Sequence, residues 1–425
     1  MEKGTRIAAE PGAAPLGARH TCRSCGAPIA HLFADLGSSP LANAYLTEEE
    51  IGRPESFYPL RVFVCDQCFL VQLPAIVDPE ALFGDYAYFS SYSESWLRHA
   101  HDYVEQVTER FNLDSTSNVI EIASNDGYLL QYFKDNGVPV LGIEPARNVA
   151  AAAQAAGIPT LVEFFGRKTG ERLGASEAVD LLVANNVLAH VPDLNGFVAG
   201  VRAVLKPGGV ATIEFPHLLR LIEHTEFDTI YHEHVSYFSF LAVERVFVRA
   251  GLMLFDVEEL PTHGGSLRIY ARGHELDPAI DARVEDLRER ELAAGLDRLE
   301  TYTSFDERVR RVKRDLLEFL IEAKREGKSV VGYGAPAKAT TLLNYCGIGR
   351  DFIDYVVDRS PHKQGRFLPG SHLPIRATEE VARTKPDYLL ILPWNLRDEI
   401  VQQMAHVREF GCRFVVPIPE PTIYA

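Results

Sequence analysis

Two Cys-x-x-Cys pairs, Cys22/Cys25 and Cys65/Cys68, constrain the amino-terminal part of this chain more than any other feature. The two-residue spacer lets each pair of thiolates take one edge of a tetrahedron around a single Zn²⁺, at bonds of roughly 2.3 Å. Four sulfurs close the coordination shell, so the metal is predicted to be structural and the chemistry is expected downstream. A redox dithiol motif, the alternative, ordinarily occurs singly. Residues 20–78 are therefore expected to form a small zinc-binding module, too short to be stable on its apolar core alone, with FYPLRVFVC as the strand that delivers Cys65.

The 425-residue chain is too long for one ordinary core, and its 46% hydrophobic content is enough to fill two or three. A formal charge of −16 with no long basic run argues against a nucleic-acid partner, whose phosphates are held by Lys and Arg. Small anions stay open, because a few local donors hold a diphosphate. No apolar run reaches about 18 residues, so no membrane span is expected. The opening MEKGTRIAAEPGAAPLGARH lacks the apolar stretch of a signal peptide and reads as a loose tail. Paired thiols then belong to a reducing, cytoplasmic setting, where metal binding prevails over disulfides.

Beyond the cysteines, FGDYAYFSSYSESW (83–96) is dense in Tyr and Ser and reads as a hinge lying over something, followed by a helical pattern. From Asn118 strands and helices alternate: NVIEIAS, a turn, a helix, VPVLGIEP, then AVDLLVANNV (178–187), a helix, and GVATIEFP (209–216). That rhythm predicts an α/β fold with a doubly wound parallel sheet over residues 79–280. LMLFDVEEL and GGSLRIYARG, tightly joined, are expected to place a reversed strand at the sheet edge. A charged stretch over about 280–326 reads as a solvated helix pair. KSVVGYGAPAKATTLLNYCG, DFIDYVVDRS and DYLLILPWN then predict a second α/β domain within 281–425.

EIASNDGYLL (121–130) ends a strand in a small-residue turn, and GIEP (142–145) ends the next strand on Glu144. Small residues let backbone approach a ligand closely, and an acid on the second strand accepts from two ribose hydroxyls. Glu144 falls 18 residues after Asp126, near the Rossmann spacing, but the turn lacks the G-x-G-x-x-G that a pyrophosphate favours. A cofactor without phosphate, S-adenosylmethionine, fits better. Its candidate contacts are Glu121, Ala123, Asn125, Asp126, Gly127, Glu144 and Asn185; an ordinary βα turn is the alternative.

Six of the fourteen histidines lie between His190 and His263, where loops at the carboxyl ends of the strands gather. Tyr231, His232, Glu233 and His234 are the densest point, just before a helix with Ser239 as its expected cap. A histidine near its free pKa accepts a proton at neutral pH while a carboxylate or phenol fixes its tautomer, so this run reads as general-base equipment. A metal-binding His-x-His, or histidines satisfied in a buried loop, are the alternatives; H-E-x-x-H is absent. Asn185, Asn186 and His190 are expected to line the same crevice. THGGSLRIY (262–270) brings adjacent glycines to a strand, so that Arg268 points at a bound group from a fixed position. VVGYGAPAKATTLL (330–343) offers helix amides and Lys338 to a diphosphate, although the P-loop pattern fails. Both segments also read as plain turns.

Together the two cysteine pairs, YFSS (88–91), EIASNDGYLL, YHEH, HGGSLR and GYGAPAKATTLLNYCGI followed by DRSPHKQGRFLPG resemble the nucleotide-sugar C-methyltransferases of antibiotic deoxysugar pathways. The similarity keeps the same order over nearly the whole chain from about residue 20. It implies an N-terminal zinc domain, a central S-adenosylmethionine domain with a seven-stranded, mostly parallel sheet, and a C-terminal Rossmann-like domain, with the sugar nucleotide between the last two. It further implies methylation next to the 4-keto group of a nucleoside-diphosphate hexose, usually dTDP-linked, at C3 or C5. His234 becomes the base, with Tyr231 and Glu233 as neighbours that orient substrate or tune it. Asn186, His190 and either Tyr86 or Tyr88 fall near the sugar, and His263, Arg268 and Lys338 complete the candidate substrate contacts. Two rivals are a zinc-containing RNA methyltransferase, which needs a basic face, and a non-methylating nucleotide-sugar binding or epimerase-like protein, which would not bind S-adenosylmethionine. The hexose, the carbon and the oligomeric state stay open, a monomer being compatible.

Overall fold

The computed structural model describes residues 20–74, 77, 89–92, 94–277 and 279–424. In the cysteine-rich segment, β1 (His31–Ser39), β2 (Tyr58–Val64) and β3 (Val71–Gln72) pair antiparallel in that order. β2 is the expected strand leading into Cys65.

The central sheet takes β4 (Val119–Ile122), β5 (Val140–Ile143), β6 (Thr160–Leu161), β7 (Val179–Asn185) and β8 (Leu205–Pro216), all parallel. β4 is wholly buried and β7 nearly so, as runs such as VIEI and VDLLVAN require when both sheet faces are covered by helices. β9 (Ser236–Tyr237) leaves this sheet: Val71 pairs with Tyr237 and Gln72 with Ser236, so β9 completes the N-terminal sheet. After it Ser239 caps the helix Phe240–Arg249, its hydroxyl accepting from Ala242 N at 3.0 Å.

β10 (Leu252–Leu260) and β11 (Ser266–Gly273) finish the seven-stranded sheet in the order β10-β11-β8-β7-β4-β5-β6. The reversed strand is β11, and it lies one place inside the edge rather than at it. The helix Phe240–Arg249 carries the chain past that slot, β10 becomes the edge, and the hairpin return fills the space beside β8.

The C-terminal sheet comprises β12 (Val330–Tyr333), β13 (Val356–Val357), β14 (Ile375–Arg376), β15 (Tyr388–Ile391), β16 (Arg413–Val416) and β17 (Thr422–Tyr424), ordered β14-β13-β12-β15-β16-β17. Only β17 runs antiparallel among them. The molecule is thus α/β throughout, with two Rossmann-like units and a small N-terminal module. No helix among the described residues is long and apolar enough to cross a membrane.

The segment expected to be a solvated helix pair is instead a hub. Phe305, Val309, Val312, Leu316 and Leu320 on the helix Phe305–Arg325 are buried at helical spacing. Phe305 stacks on Phe33 of β1 at 4.4 Å, and Tyr302 stacks on Phe69 beside Cys68 at 5.7 Å. Each fully buried apolar side chain contributes about 1.5–3 kcal/mol. The charged residues that dominate the composition occupy the other face, which hid the apolar stripe.

Candidate active site

Each cysteine pair sits on a tight turn: Gly26 N donates to Cys22 O at 2.8 Å and Phe69 N to Cys65 O at 2.9 Å. Both closing residues have positive φ, which costs glycine nothing and Phe69 about 1 kcal/mol or more. The four sulfurs lie within 4.8 Å of one another, with Cys22–Cys68 and Cys25–Cys65 each at 3.5 Å. A tetrahedron of ~2.3 Å Zn–S bonds has edges of ~3.8 Å, so the cluster fits Zn²⁺ and leaves no open position. Gln72, on β3, donates from Nε2 to Cys22 Sγ at 3.2 Å.

The turn after β4 has three residues with left-handed backbone, Ala123 (φ 54°), Asn125 (φ 50°) and Gly127 (φ 82°). At Gly127 a Cβ would lie 2.8 Å from Ile158, so the turn requires glycine there twice over. Glu144 fastens it, accepting from Asn125 N at 3.0 Å and Ala146 N at 2.8 Å. Burial pushes the Glu121 carboxyl well above its ordinary range, and the Glu144 and Asp126 charges add to this. Among the described residues, buried oxygens of Glu121, Asp126 and Asn185 and the whole Asn186 amide have no hydrogen-bond partner. Acids with unmet polar atoms fit a cationic nucleoside cofactor. Ser90 N donates to Asn125 Oδ1 at 2.9 Å and Ser91 N to Asp126 Oδ2 at 3.2 Å, so the end of the Tyr/Ser segment lies over the turn. Tyr86 and Tyr88 fall outside the described residues.

The loop before β9 carries Tyr231, His232, Glu233 and His234. His234 Nδ1 is 3.0 Å from Thr229 O, and a carbonyl only accepts, so the proton sits on Nδ1 and the bare Nε2 accepts from the Tyr231 hydroxyl at 2.8 Å. His190 repeats this, with Nδ1 donating to Glu233 O at 2.8 Å and its ring edge-on to His234 at 4.7 Å. Burial pushes His190 down to about 4 and His234 well below its ordinary value, the latter with help from His190. Both rings are neutral at pH 7. Glu233 is buried and pushed up to about 7, its two oxygens accepting from Asn43 Nδ2 at 2.8 and 3.0 Å. His232 turns away, toward Pro59 O of β2 at 3.3 Å.

Lys338 reaches in from the C-terminal unit. Its ammonium donates to Asn395 Oδ1 at 2.7 Å and lies 4.3 Å above the Trp394 ring, whose Nε1 donates to Asp228 Oδ2 at 2.8 Å. Burial raises Asp228 to about 6 and Glu226 to about 8, and the Lys338 charge works against both shifts. His263 is exposed and lies beside Trp96 at 5.6 Å. Arg268 is directed inward along β11: it donates to Glu214 at 2.8 Å and Glu258 at 3.4 Å and lies 4.4 Å over the Tyr103 ring. The structure therefore gathers His190, Tyr231, Glu233 and His234 around one point, sets His263 and Lys338 within electrostatic reach, and engages Arg268 in the sheet.

Three family models match in order: a zinc binding domain over residues 22–83, a methyltransferase domain over 96–257 and a C-methyltransferase C-terminal domain over 261–419. C-methyltransferase NovU of Streptomyces niveus is 37% identical over 403 residues, spanning 95% of this chain and 96% of that protein. The chain belongs to the C-methyltransferase family. The C-methyltransferase also shares 32% identity over 110 residues with a ubiquinone biosynthesis O-methyltransferase of Rhodopseudomonas palustris, covering 26% of this chain and 43% of that one. The PH0226 protein of Pyrococcus horikoshii overlays 46% of this chain and 97% of its own at 15% identity and a TM-score of 0.35; the strand order carries the fold assignment. This chain is an S-adenosylmethionine-dependent enzyme with a four-cysteine zinc site.

Sequence reasoning about this C-methyltransferase missed Asn43, Tyr45, Glu226, Asp228 and Trp394. Asn43 and Tyr45 sit in PLANAY, between the cysteine pairs, and Glu226 and Asp228 precede YHEH in the run EFDTIYHEH; neither run has a motif or period that marks these residues.

Proposed function

We propose that the protein methylates a carbon next to the ketone, C3 or C5, of a dTDP-4-keto-6-deoxyhexose, with His234 as the base. The observation that carries this reading is the His234 tautomer: a bare Nε2, held by the Thr229 carbonyl on one side, faces the Tyr231 hydroxyl in a buried crevice. A plain sugar carbon is no nucleophile, but the neighbouring ketone lets a base remove its proton and hold the charge as an enolate. That proton passes by way of the Tyr231 hydroxyl to His234 Nε2. A developing enolate stabilises the imidazolium, reversing the depression that burial imposes in the empty crevice. The Asn186 amide supplies a donor for the ketone oxygen, neutral His190, whose proton is committed to Glu233 O, can only accept from a sugar hydroxyl, and Lys338 adds positive potential in a low-dielectric site. S-adenosylmethionine, when bound, supplies the electrophilic methyl group. Glu121, Asn125, Asp126, Gly127, Glu144 and Asn185 hold it, and ordering both reactants makes the step effectively unimolecular. Lys338, His263 and Arg268 are carried as substrate contacts, and the reaction is placed in the cytoplasm.

The test is incubation with labelled S-adenosylmethionine and a panel of dTDP-4-keto-6-deoxyhexoses, reading the product carbon by NMR. His234→Asn is expected to keep cofactor binding and lower turnover by about 10² or more. Turnover near wild type removes His234 as base, and failure to label any 4-keto sugar removes the substrate class.

A further inference from the structure

The zinc module has a second output besides its metal. Residues 40–46 leave β1 and run between the two α/β units, where Ala42 O accepts from Thr340 Oγ1 at 3.0 Å, Tyr45 donates its hydroxyl to Ala335 O at 2.6 Å, and Leu46 and Phe367 exchange main-chain hydrogen bonds at 3.0 and 2.9 Å. Three contacts thus pin this strap to the C-terminal unit. Between them Asn43 turns the other way and gives one amide nitrogen to both oxygens of Glu233. A carboxylate only accepts, so the amide orientation is dictated, with Nδ2 toward Glu233 and Oδ1 toward the Tyr45 hydroxyl at 3.4 Å. Glu233 is held at its other end as well, since its main-chain oxygen accepts from His190 Nδ1.

We propose that Asn43, supplied by the zinc module, is a positioning residue of the active site: it holds the Glu233 carboxylate and, through the Glu233 main chain, keeps His190 in register with His234. The proposal rests on the reading that this loop handles the substrate proton. Its physical basis is the cost of a buried carboxylate without a donor. Burial already raises Glu233 to about 7 while the Asn43 amide acts in the opposite sense. Without that amide the carboxyl keeps its proton to higher pH and no longer fixes its segment of main chain. Among the described residues Asn43 bonds to Glu233 and Tyr45 and not to the cysteine cluster or the cofactor turn, so its loss is expected to spare both.

A double-mutant cycle of Asn43→Ala and Glu233→Gln tests it, with dTDP-4-keto-6-deoxyglucose and labelled S-adenosylmethionine as probes. Asn43→Ala is expected to lower kcat roughly tenfold, the scale of one hydrogen bond to a charged group, with zinc content and cofactor affinity unchanged. The acid limb of its kcat–pH profile moves to higher pH, and in the Glu233→Gln background the substitution adds less than about twofold. Asn43→Asp, nearly the same shape, moves that limb further, because a second carboxylate then faces the first. The infrared band of the protonated carboxyl, assigned by its loss in Glu233→Gln, titrates at higher pH in Asn43→Ala, a readout independent of substrate. A kcat loss equal in both backgrounds with an unmoved limb and band overturns the proposal and leaves the function standing. Full turnover in Glu233→Gln removes Glu233 from the proton-handling loop, and the proposal with it.

Discussion

The two α/β units use one device at the turn after their first strand and differ in what surrounds it. In the central unit Glu144, one residue past β5, accepts from Asn125 N and from Ala146 N. In the C-terminal unit Asp358, one residue past β13, accepts from Ala335 N at 2.7 Å and from Ser360 N at 2.8 Å. Each carboxylate ties its own turn to that of the neighbouring strand, with the same offset of two residues on its second oxygen. Around the first turn stand buried acids and polar atoms without partners among the described residues. At the second, Tyr45 and Lys363 both donate to the Ala335 carbonyl, at 2.6 and 3.0 Å. One geometry therefore belongs to the proposed cofactor turn in the central unit and is a fastening point for the zinc module in the other.

The largest effect expected from breaking this contrast comes from the fastening side. Cys22→Ser should release the metal and destabilise the N-terminal module, because the binding energy of a four-thiolate zinc is folding energy; unchanged metal by emission spectrometry would overturn the four-thiolate site. Glu144→Gln should weaken S-adenosylmethionine binding by about tenfold to a hundredfold in calorimetry, the range for a hydrogen bond to a charged group. Asp358→Asn should leave that affinity unchanged, and equal losses in the two variants would erase the distinction between the turns. Tyr45→Phe should cost about 1 kcal/mol of stability in urea unfolding with no change in cofactor affinity.

A separate effect is a pH slope that belongs to the central unit. Burial raises Glu226 to about 8 and Glu233 to about 7, whereas Asp387 in the C-terminal unit is held low, first by the Ser329 main-chain N–H. Between about pH 4.5 and 8 the folded state keeps the Glu226 proton that the unfolded chain has lost, so stability falls as pH rises through that window. Glu226→Gln should flatten the fall; an identical slope in the variant would show that Glu226 is solvated.

Much of this was legible because it is local. The cysteine spacing, the β/α rhythm from Val119 onward and the Ser239 cap each depend on neighbours a few residues apart. β9 escaped because a two-residue strand has no period to detect, and its partner β3 lies more than 160 residues earlier in the sequence. A separation of 190 residues likewise hid Asn43, whose contact is visible only once Glu233 is beside it. Arg268 was legible only in part: the glycine pair marks a fixed arginine, but its pairing with Glu214 and Glu258 on the flanking strands β8 and β10 needs the sheet order.

The pairing of β3 with β9 has a consequence for anyone cutting the gene. A product begun after β3 would carry a bare strand edge at Ser236–Tyr237, two residues past His234, and uncovered rings at Tyr302 and Phe305. Raw edges and apolar patches of that kind invite self-association. The amino-terminal piece is no detachable tag, and shuffling it between relatives calls for moving its partner strand along with it.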